Sequence, residues 1–120
     1  MVLTRAEISR RYRLRHPDRV RAQRAASATR QREYERRYRL AKRYGLTPEQ
    51  VDEMLLAQGG RCAVCQTDNP GARTWHVDHC HGSGRIRGLL CGNCNRGLGL
   101  FADDPSVLRA AINYLEVRHA

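Results

Sequence analysis

Two cysteine pairs constrain the fold of this 120-residue chain more than any other feature. Cys62 and Cys65 form one Cys-x2-Cys pair, and Cys91 and Cys94 form a second pair after 25 intervening residues. Two-residue spacing turns both sulfurs of a pair toward one ion, and two pairs supply the ligands of a tetrahedral structural zinc site. Coincidence or a redox pair is the competing interpretation. We expect a closed Zn²⁺ site that supports the fold and has no open position for water.

The fifth cysteine and the N-terminal residues bear on the cellular compartment. Residues 1–5 lead into charge and not into an apolar segment, so no secretory leader is expected. No apolar run approaches the roughly 20 residues that span a bilayer, so we expect a cytoplasmic protein without a membrane partner. Thiols stay reduced there, which favours metal binding over disulfides. Cys80 is expected to have no ligand role, because four cysteines complete the site.

Positive charge is concentrated in residues 1–43, which contain fifteen basic and four acidic residues, a net charge of +11. The remaining residues have seven basic and eight acidic side chains, a net charge of −1. A basic arm on a near-neutral domain predicts attraction to a polyanion, most commonly nucleic acid. Fourteen of the fifteen basic residues are arginine, whose guanidinium matches phosphate oxygens. A solvated appendage, or one that pairs with its copy in a dimer, is the alternative.

The predicted DNA contacts combine arm arginines with two arginines of a later strand. They are Arg10, Arg11, Arg13, Arg15, Arg19, Arg21, Arg24, Arg36, Arg37, Arg39, Arg85 and Arg87. Contacts of this kind to phosphate give affinity without reading the base sequence.

Local helix signals divide the chain into an arm, 1–43, and a domain, 44–120. Thr4 and Thr47 each open a capping box, and Pro17 suits the first position of a second helix in the arm. The arm is expected to be helical, although its polar residues leave no continuous apolar stripe. A last helix is expected to begin at Asp104-Pro105.

The segment between the cysteine pairs reads as two strands. Residues 75–79 and 85–90 have strand patterns, and Gly82 and Gly84 mark the turn between them. A short helix is expected to open at the second cysteine pair. The fold class is therefore α+β.

Candidate catalytic residues lie in and just after this segment. Asp78 and Asn95 carry the oxygen ligands that Mg²⁺ prefers, and a metal-free His79 could take a proton from water. An isolated Asp-His pair on a strand is, however, more often structural. Strand alternation also places Asp78 and His79 on opposite faces, so they converge only if the chain bends there. Gly82 and Gly84 are suited to such a bend nearby.

Four segments together resemble the recombination endonuclease VII family of HNH, or His-Me finger, nucleases: residues 44–47, 59–65, 77–81 and 86–95. The D-H-x-H pattern followed by R-G-L-L-C-x-x-C-N is specific to that family. The resemblance implies a small ββα-metal domain that binds one divalent ion, braced by a four-cysteine zinc site and flanked by helices.

The resemblance also implies residue roles. Asp78 and Asn95 correspond to the ligands of a catalytic Mg²⁺ or Mn²⁺, and His79 corresponds to the general base. His81 corresponds to a further active-site histidine that contacts the phosphate. Family members can carry an acid three residues after the asparagine, and here that position is Leu98.

The expected activity is metal-dependent cleavage of DNA to 5′-phosphate and 3′-hydroxyl ends. The substrate class is branched DNA, such as a Holliday junction, or nicked DNA, in phage recombination or packaging. The family's best-known members act as dimers, so a homodimer in a bacterial or phage-infected cell is one expectation. The alternatives are a non-catalytic zinc-ribbon DNA-binding protein and an HNH nicking or homing endonuclease acting on ordinary duplex. The presence of both His79 and Asn95 favours an enzyme.

Overall fold

The structure is a computed structural model that describes residues 2–119, and side chains through residue 118. Its mixed, helix-rich fold forms two compact units, Met1–Gly45 and Leu46–Ala120. In chain order the elements are α1 (Arg5–Arg15), α2 (Pro17–Tyr44), α3 (Pro48–Ala57), β1 (His76–His79), β2 (Ile86–Leu90), α4 (Gly92–Leu100) and α5 (Pro105–His119). No helix in the described part is both long and apolar enough to span a membrane.

The first unit consists of α1 and α2, which begin where the sequence signals predicted. The Thr4 hydroxyl accepts from the Glu7 amide at 3.3 Å, and the Glu7 carboxylate accepts from the Thr4 amide at 2.8 Å. Pro17 is the first residue of α2. Gly45 ends that helix at φ 65°, a left-handed conformation that glycine adopts without steric cost. Neither helix contains a buried residue, so tertiary packing contributes little to their stability.

The second unit begins with α3, which the predicted capping box at Thr47 opens. Val51 on this helix is buried, and Met54 and Leu55 are half-buried. Gln58 caps the C-terminal end of this helix, and its side-chain amide pairs with the backbone of Leu89 on β2. Gln58 Nε2 donates to the Leu89 carbonyl at 3.0 Å, and its Oε1 accepts from the Leu89 amide at 2.8 Å. Gln58 therefore hydrogen-bonds the backbone amide and carbonyl of Leu89 on the outer edge of β2, as a neighbouring strand would.

Gly88 makes room for this contact. A Cβ at residue 88 would lie 3.1 Å from Gln58 Oε1 and 3.6 Å from the Ala63 Cβ. The first of these distances is tighter than ordinary van der Waals contact, so a side chain here would push Gln58 away from the strand.

β1 and β2 pair antiparallel, with a register irregularity between Asp78 and His79. Asp78 lies opposite Gly88, whereas His79 lies opposite Ile86. Arg87 is therefore an extra residue on β2, which makes this a β-bulge. Bulges bend a strand and re-aim side chains.

The apolar core of the second unit is small. Its buried hydrophobic residues include Leu89 at 0% exposure and Leu90 at 2%. Trp75 and Leu98 pack, partly buried, against the group formed by Cys62, Leu90 and Cys91. On α5, Val107, Ile112 and Leu115 remain 42–55% exposed, so this helix adds little to the core. A core of this size normally needs an additional staple.

Candidate functional site

The structure brings the four predicted zinc ligands together. The sulfur atoms of Cys62, Cys65, Cys91 and Cys94 all lie within 4.8 Å of one another. The Cys65 and Cys91 sulfurs are 3.7 Å apart. Zn–S bonds of about 2.3 Å in a tetrahedron place sulfurs roughly 3.8 Å apart. The cluster therefore fits a structural zinc ion, and Cys80 lies outside it as predicted.

Backbone amides donate hydrogen bonds to the sulfurs of this cluster and thereby favour the thiolate form of the cysteines. The Cys91 amide donates to the Cys62 sulfur at 3.4 Å, and the Cys94 amide donates to the Cys91 sulfur at 3.4 Å. Burial opposes ionisation of Cys62, but hydrogen bonds from the amides of Cys91, Cys65 and Val64 outweigh it and lower the pKa to about 6. Burial raises the pKa of Cys94, and hydrogen bonds with the other sulfurs raise it further. Thiolates this close repel one another, so a full set of four needs a cation.

A register irregularity lies between Asp78 and His79, where convergence of the two side chains requires a bend, and the extra residue, Arg87, is on β2. Gly82 and Gly84 belong to the hairpin turn, where the Gly84 amide donates to the Cys80 carbonyl at 2.7 Å. Sequence alone does not locate a bulge, because the extra residue becomes visible only when the two strands are paired.

The bulged residue forms a bidentate ion pair with the predicted metal ligand. Arg87 Nε donates to Asp78 Oδ2 at 2.7 Å, and Arg87 Nη2 donates to Asp78 Oδ1 at 2.9 Å. The same Nη2 donates to Asp103 Oδ2 at 3.3 Å. The hydrogen bond to Asp78 is the largest of the effects that raise the Arg87 pKa above its already high ordinary value. Arg87, predicted as a DNA contact, thus has two carboxylate partners in this structure.

Two histidines extend this group. The rings of His79 and His81 stack with centroids 5.1 Å apart. His81 Nε2 lies 3.6 Å from Asp103 Oδ2, close enough for an ion pair when the histidine is protonated. Contacts therefore run continuously through what we call the acid–histidine cluster, whose members are His79, His81, Asp103, Arg87 and Asp78.

Asn95 lies near the start of α4, a helix that contacts both β1 and β2. Its side chain is half-buried and makes no hydrogen bond to the described residues, so its amide oxygen has no protein donor there. No hydrogen bond or ion pair joins Asn95 to the acid–histidine cluster within the same residues. Leu98, where the family can carry an acid, packs against the apolar core instead.

Asp103 was not among the residues predicted from the sequence. Ala102 and Asp103 follow α4 with φ of 54° and 53°, a region that costs most residues about 1 kcal/mol or more but that Asp tolerates better. The Asp103 amide donates to the Leu98 carbonyl at 2.9 Å. This left-handed turn carries the chain away from the helix axis.

The two adjacent aspartates, Asp103 and Asp104, are the sequence feature that could have indicated a role for Asp103. Asp104 caps α5 as predicted, because its Oδ1 accepts from the Ser106 amide at 2.7 Å and from the Ser106 hydroxyl at 2.6 Å. One aspartate is enough to cap a helix, which leaves Asp103 without a helix-capping role.

The predicted DNA-contact arginines of the first unit lie on α1 and α2. All are exposed except Arg36, which is half-buried. Aromatic side chains lie among them, and the rings of Tyr34 and Tyr38 stack at 6.4 Å between centroids. The unit therefore offers many guanidinium groups on a largely exposed surface.

Comparisons with known proteins agree with the motif-based resemblance. A family model described as recombination endonuclease VII matches residues 37–117. The Gene 59 protein of Mycobacterium phage D29 is 42% identical over 78 residues, which are 64% of this chain and 47% of that protein. The Gene 59 protein of Mycobacterium phage L5 is 40% identical over 78 residues, 64% of this chain and 48% of that protein. The chain thus spans about half the length of the curated relatives it matches. On the extent of the family match, the chain belongs to the recombination endonuclease VII family.

Proposed function

We propose that this protein is a metal-dependent DNA endonuclease in which β1, β2 and α4 form a ββα-metal, or His-Me finger, unit. Two findings together support the proposal: the chain belongs to the endonuclease VII family, and the acid–histidine cluster lies at the bulge of its β-hairpin. Asp78, His79 and His81 belong to one connected group, beside a helix that carries Asn95. The adjacent cysteine cluster would hold structural zinc.

Asp78 and Asn95 are the residues that would hold a catalytic Mg²⁺ or Mn²⁺. A carboxylate and an amide oxygen are hard donors, and an ion that keeps several waters needs only one or two protein ligands. In this structure both oxygens of Asp78 accept from the Arg87 guanidinium. When bound, the ion would stabilise negative charge on the phosphate and on the leaving oxygen.

The remaining chemistry belongs to the histidines. His79 accepts a proton from the water whose oxygen attacks phosphorus, and the bond from phosphorus to the 3′-oxygen breaks. That oxygen takes a proton from solvent water and becomes the 3′-hydroxyl, and the phosphate stays on the 5′ end. His81 is 75% exposed and lies at 3.6 Å from a carboxylate. We assign it to phosphate contact, because it is exposed and its ring stacks on that of His79.

The arm and the biological setting complete the proposal. Residues 1–43 form a DNA-binding arm and residues 44–120 the nuclease domain, because the first segment carries a net +11 and the second −1. Branched or nicked DNA is the proposed substrate, in phage recombination or packaging inside an infected bacterial cell. A homodimer is proposed on family grounds, and the phage origin of the relatives supports the setting.

Cleavage of supercoiled plasmid by the zinc-loaded full chain, with Mg²⁺ added or withheld, tests this function. We expect nicked or linear product only with Mg²⁺, and a drop of at least about a hundredfold for His79→Ala, the usual contribution of a general base. His76→Ala is the matched control, because it lies on the same strand but outside the cluster, and it should stay within a few-fold of wild type.

Two results would contradict the proposal. A His79→Ala rate within about tenfold of wild type would exclude His79 as the general base. A wild-type protein that binds DNA without cleaving plasmid, four-way junction or nicked duplex would support the non-catalytic zinc-ribbon alternative.

A further inference from the structure

Arg87 forms an ion pair with Asp78, the carboxylate that the proposed catalytic ion requires. Both Asp78 oxygens accept from its guanidinium, at 2.7 and 2.9 Å, and the Asp78 side chain is 14% exposed. A bidentate guanidinium uses both oxygens of a carboxylate and neutralises its charge. A divalent ion that binds Asp78 must therefore displace or share this arginine.

Asp103 is a second acceptor for the same guanidinium. Arg87 Nη2 donates to Asp103 Oδ2 at 3.3 Å while it also contacts Asp78. Asp103 is 20% exposed and is held by a left-handed turn at φ 53°. If Arg87 leaves Asp78, its charge still has a carboxylate partner within reach.

We propose that Arg87 is an internal competitor of the catalytic ion for Asp78, and that Asp103 is the positioning residue that keeps Arg87 when the ion binds. This inference rests on the proposed function. Loading of the ion involves transfer of the guanidinium from a pair of carboxylates to Asp103 alone. Arg87 thus raises the metal concentration at which the site fills, and Asp103 lowers it.

Mn²⁺ titration of the zinc-loaded full chain, without DNA and followed by electron paramagnetic resonance, tests the competition. Arg87→Gln should bind Mn²⁺ about threefold to tenfold more tightly than wild type, the range expected for a partly exposed bidentate pair. Arg85→Gln is the matched control: it removes the same charge from the same hairpin at an exposed position, and it should change affinity less than about twofold. Unchanged or weaker binding in Arg87→Gln overturns the competition.

The positioning role of Asp103 is tested by comparing its substitution with the same substitution at Asp104. Asp103→Asn should weaken Mn²⁺ binding a few-fold, because Asp78 is then the one carboxylate partner of Arg87 among the described residues. Asp104→Asn removes the same charge one residue away and keeps a side chain that caps helices well, so it should leave the affinity nearly unchanged. Equal weakening by both variants means a general charge effect and overturns the role of Asp103.

The double variant Arg87→Gln/Asp103→Asn separates a positioning role from direct action on the ion. If Asp103 acts through Arg87, its substitution should have no effect once Arg87 is gone, a strong departure from additivity. The same loss in both backgrounds would overturn the positioning role.

Different results overturn the catalytic metal site and the competition at Asp78. A folded, zinc-loaded protein that binds no Mn²⁺ in wild type or Arg87→Gln overturns the proposed catalytic metal site, and this inference with it. Mn²⁺-supported cleavage combined with identical Mn²⁺ affinity in wild type and Arg87→Gln overturns the inference alone. If Arg87→Gln does not fold, Arg87→Lys serves instead, because it keeps the charge but loses the bidentate contact. Its Mn²⁺ binding should be tighter than wild type, and equal affinity would again overturn the competition.

Discussion

Gln58 gives the most direct test of how α3 is held against β2. Gln58→Ala removes two hydrogen bonds to Leu89 and one, at 2.8 Å, to the Arg61 carbonyl. Leu89 is fully buried, so its amide would lose its partner out of reach of water. Its carbonyl keeps the bond from the Ala63 amide at 3.1 Å.

The cost follows from these contacts. A stranded buried donor costs about 1–3 kcal/mol, and removing a bond to an acceptor that keeps another partner costs about 1 kcal/mol. We therefore expect Gln58→Ala to lower the free energy of unfolding by about 2–4 kcal/mol. Since small domains have urea m-values of about 1–3 kcal/mol/M, the midpoint should fall by at least roughly 0.7 M.

Trp75 makes the measurement specific to the second unit. It is the sole tryptophan of the chain and packs against the group of Cys62, Leu90 and Cys91, so its fluorescence does not report on the helical arm. Urea titrations would be run at one fixed zinc concentration, because a ligand of the native state adds to apparent stability. Leu56→Ala, which truncates an 80% exposed side chain of α3, is the control and should change stability little. A decrease below about 1 kcal/mol for Gln58→Ala would contradict the assigned role of Gln58, since it would mean that Leu89 finds other partners.

Three further predictions concern the zinc cluster, the catalytic ion and the arm. Cys91→Ser should lose zinc and cooperative unfolding, because structural zinc contributes on the order of 10 kcal/mol in small sites; a variant that melts cooperatively without zinc, by metal analysis and Trp75 fluorescence, would contradict the cluster's role. Asn95→Ala should cleave poorly at low Mg²⁺ and recover partly at high Mg²⁺ or Mn²⁺, since the ion keeps other ligands; an unchanged metal dependence in a plasmid assay would argue against ligation. Deletion of residues 1–43 should weaken DNA affinity, while single-turnover cleavage at saturation persists. The slope of log affinity against log salt concentration should become shallower by about 0.9 for each phosphate that the arm neutralises in the full chain. Binding titrations at several salt concentrations measure this slope, and an unchanged slope would exclude the arm from DNA binding.

Short-range sequence signals predicted the local structure well. The capping boxes at Thr4 and Thr47, the start of α2 at Pro17 and the approach of the two cysteine pairs were all confirmed. Each depends on residues within a few positions of one another, or on chemistry that permits few other arrangements.

Features that depend on pairing between elements could not be read from the sequence in the same way. The bulge at Arg87 requires the register of β1 against β2, and the contact between Asp103 and Arg87 joins residues sixteen positions apart. The start of α5 at Asp104-Pro105 was predicted, but the sequence did not show that Ile112 and Leu115 on this helix would stay more than half exposed. The catalytic roles of Asp78, His79, His81 and Asn95 remain predictions.

The bulge also determines where this hairpin tolerates a change of length. Because successive side chains of a strand point to opposite faces, a one-residue shift exchanges inside and outside. A further residue inserted within β2 would turn either Leu89 and Leu90 or Ile86 toward the wrong face. Deleting the extra residue, Arg87, would restore regular pairing with Ile86 still opposite His79 and Leu89 still opposite Val77, but it would remove the bidentate partner of Asp78. Insertions in the turn at residues 81–84, by contrast, leave the register of both strands intact. Among related chains, natural length variation should therefore collect at the hairpin tip and avoid the stretch from Ile86 to Cys91.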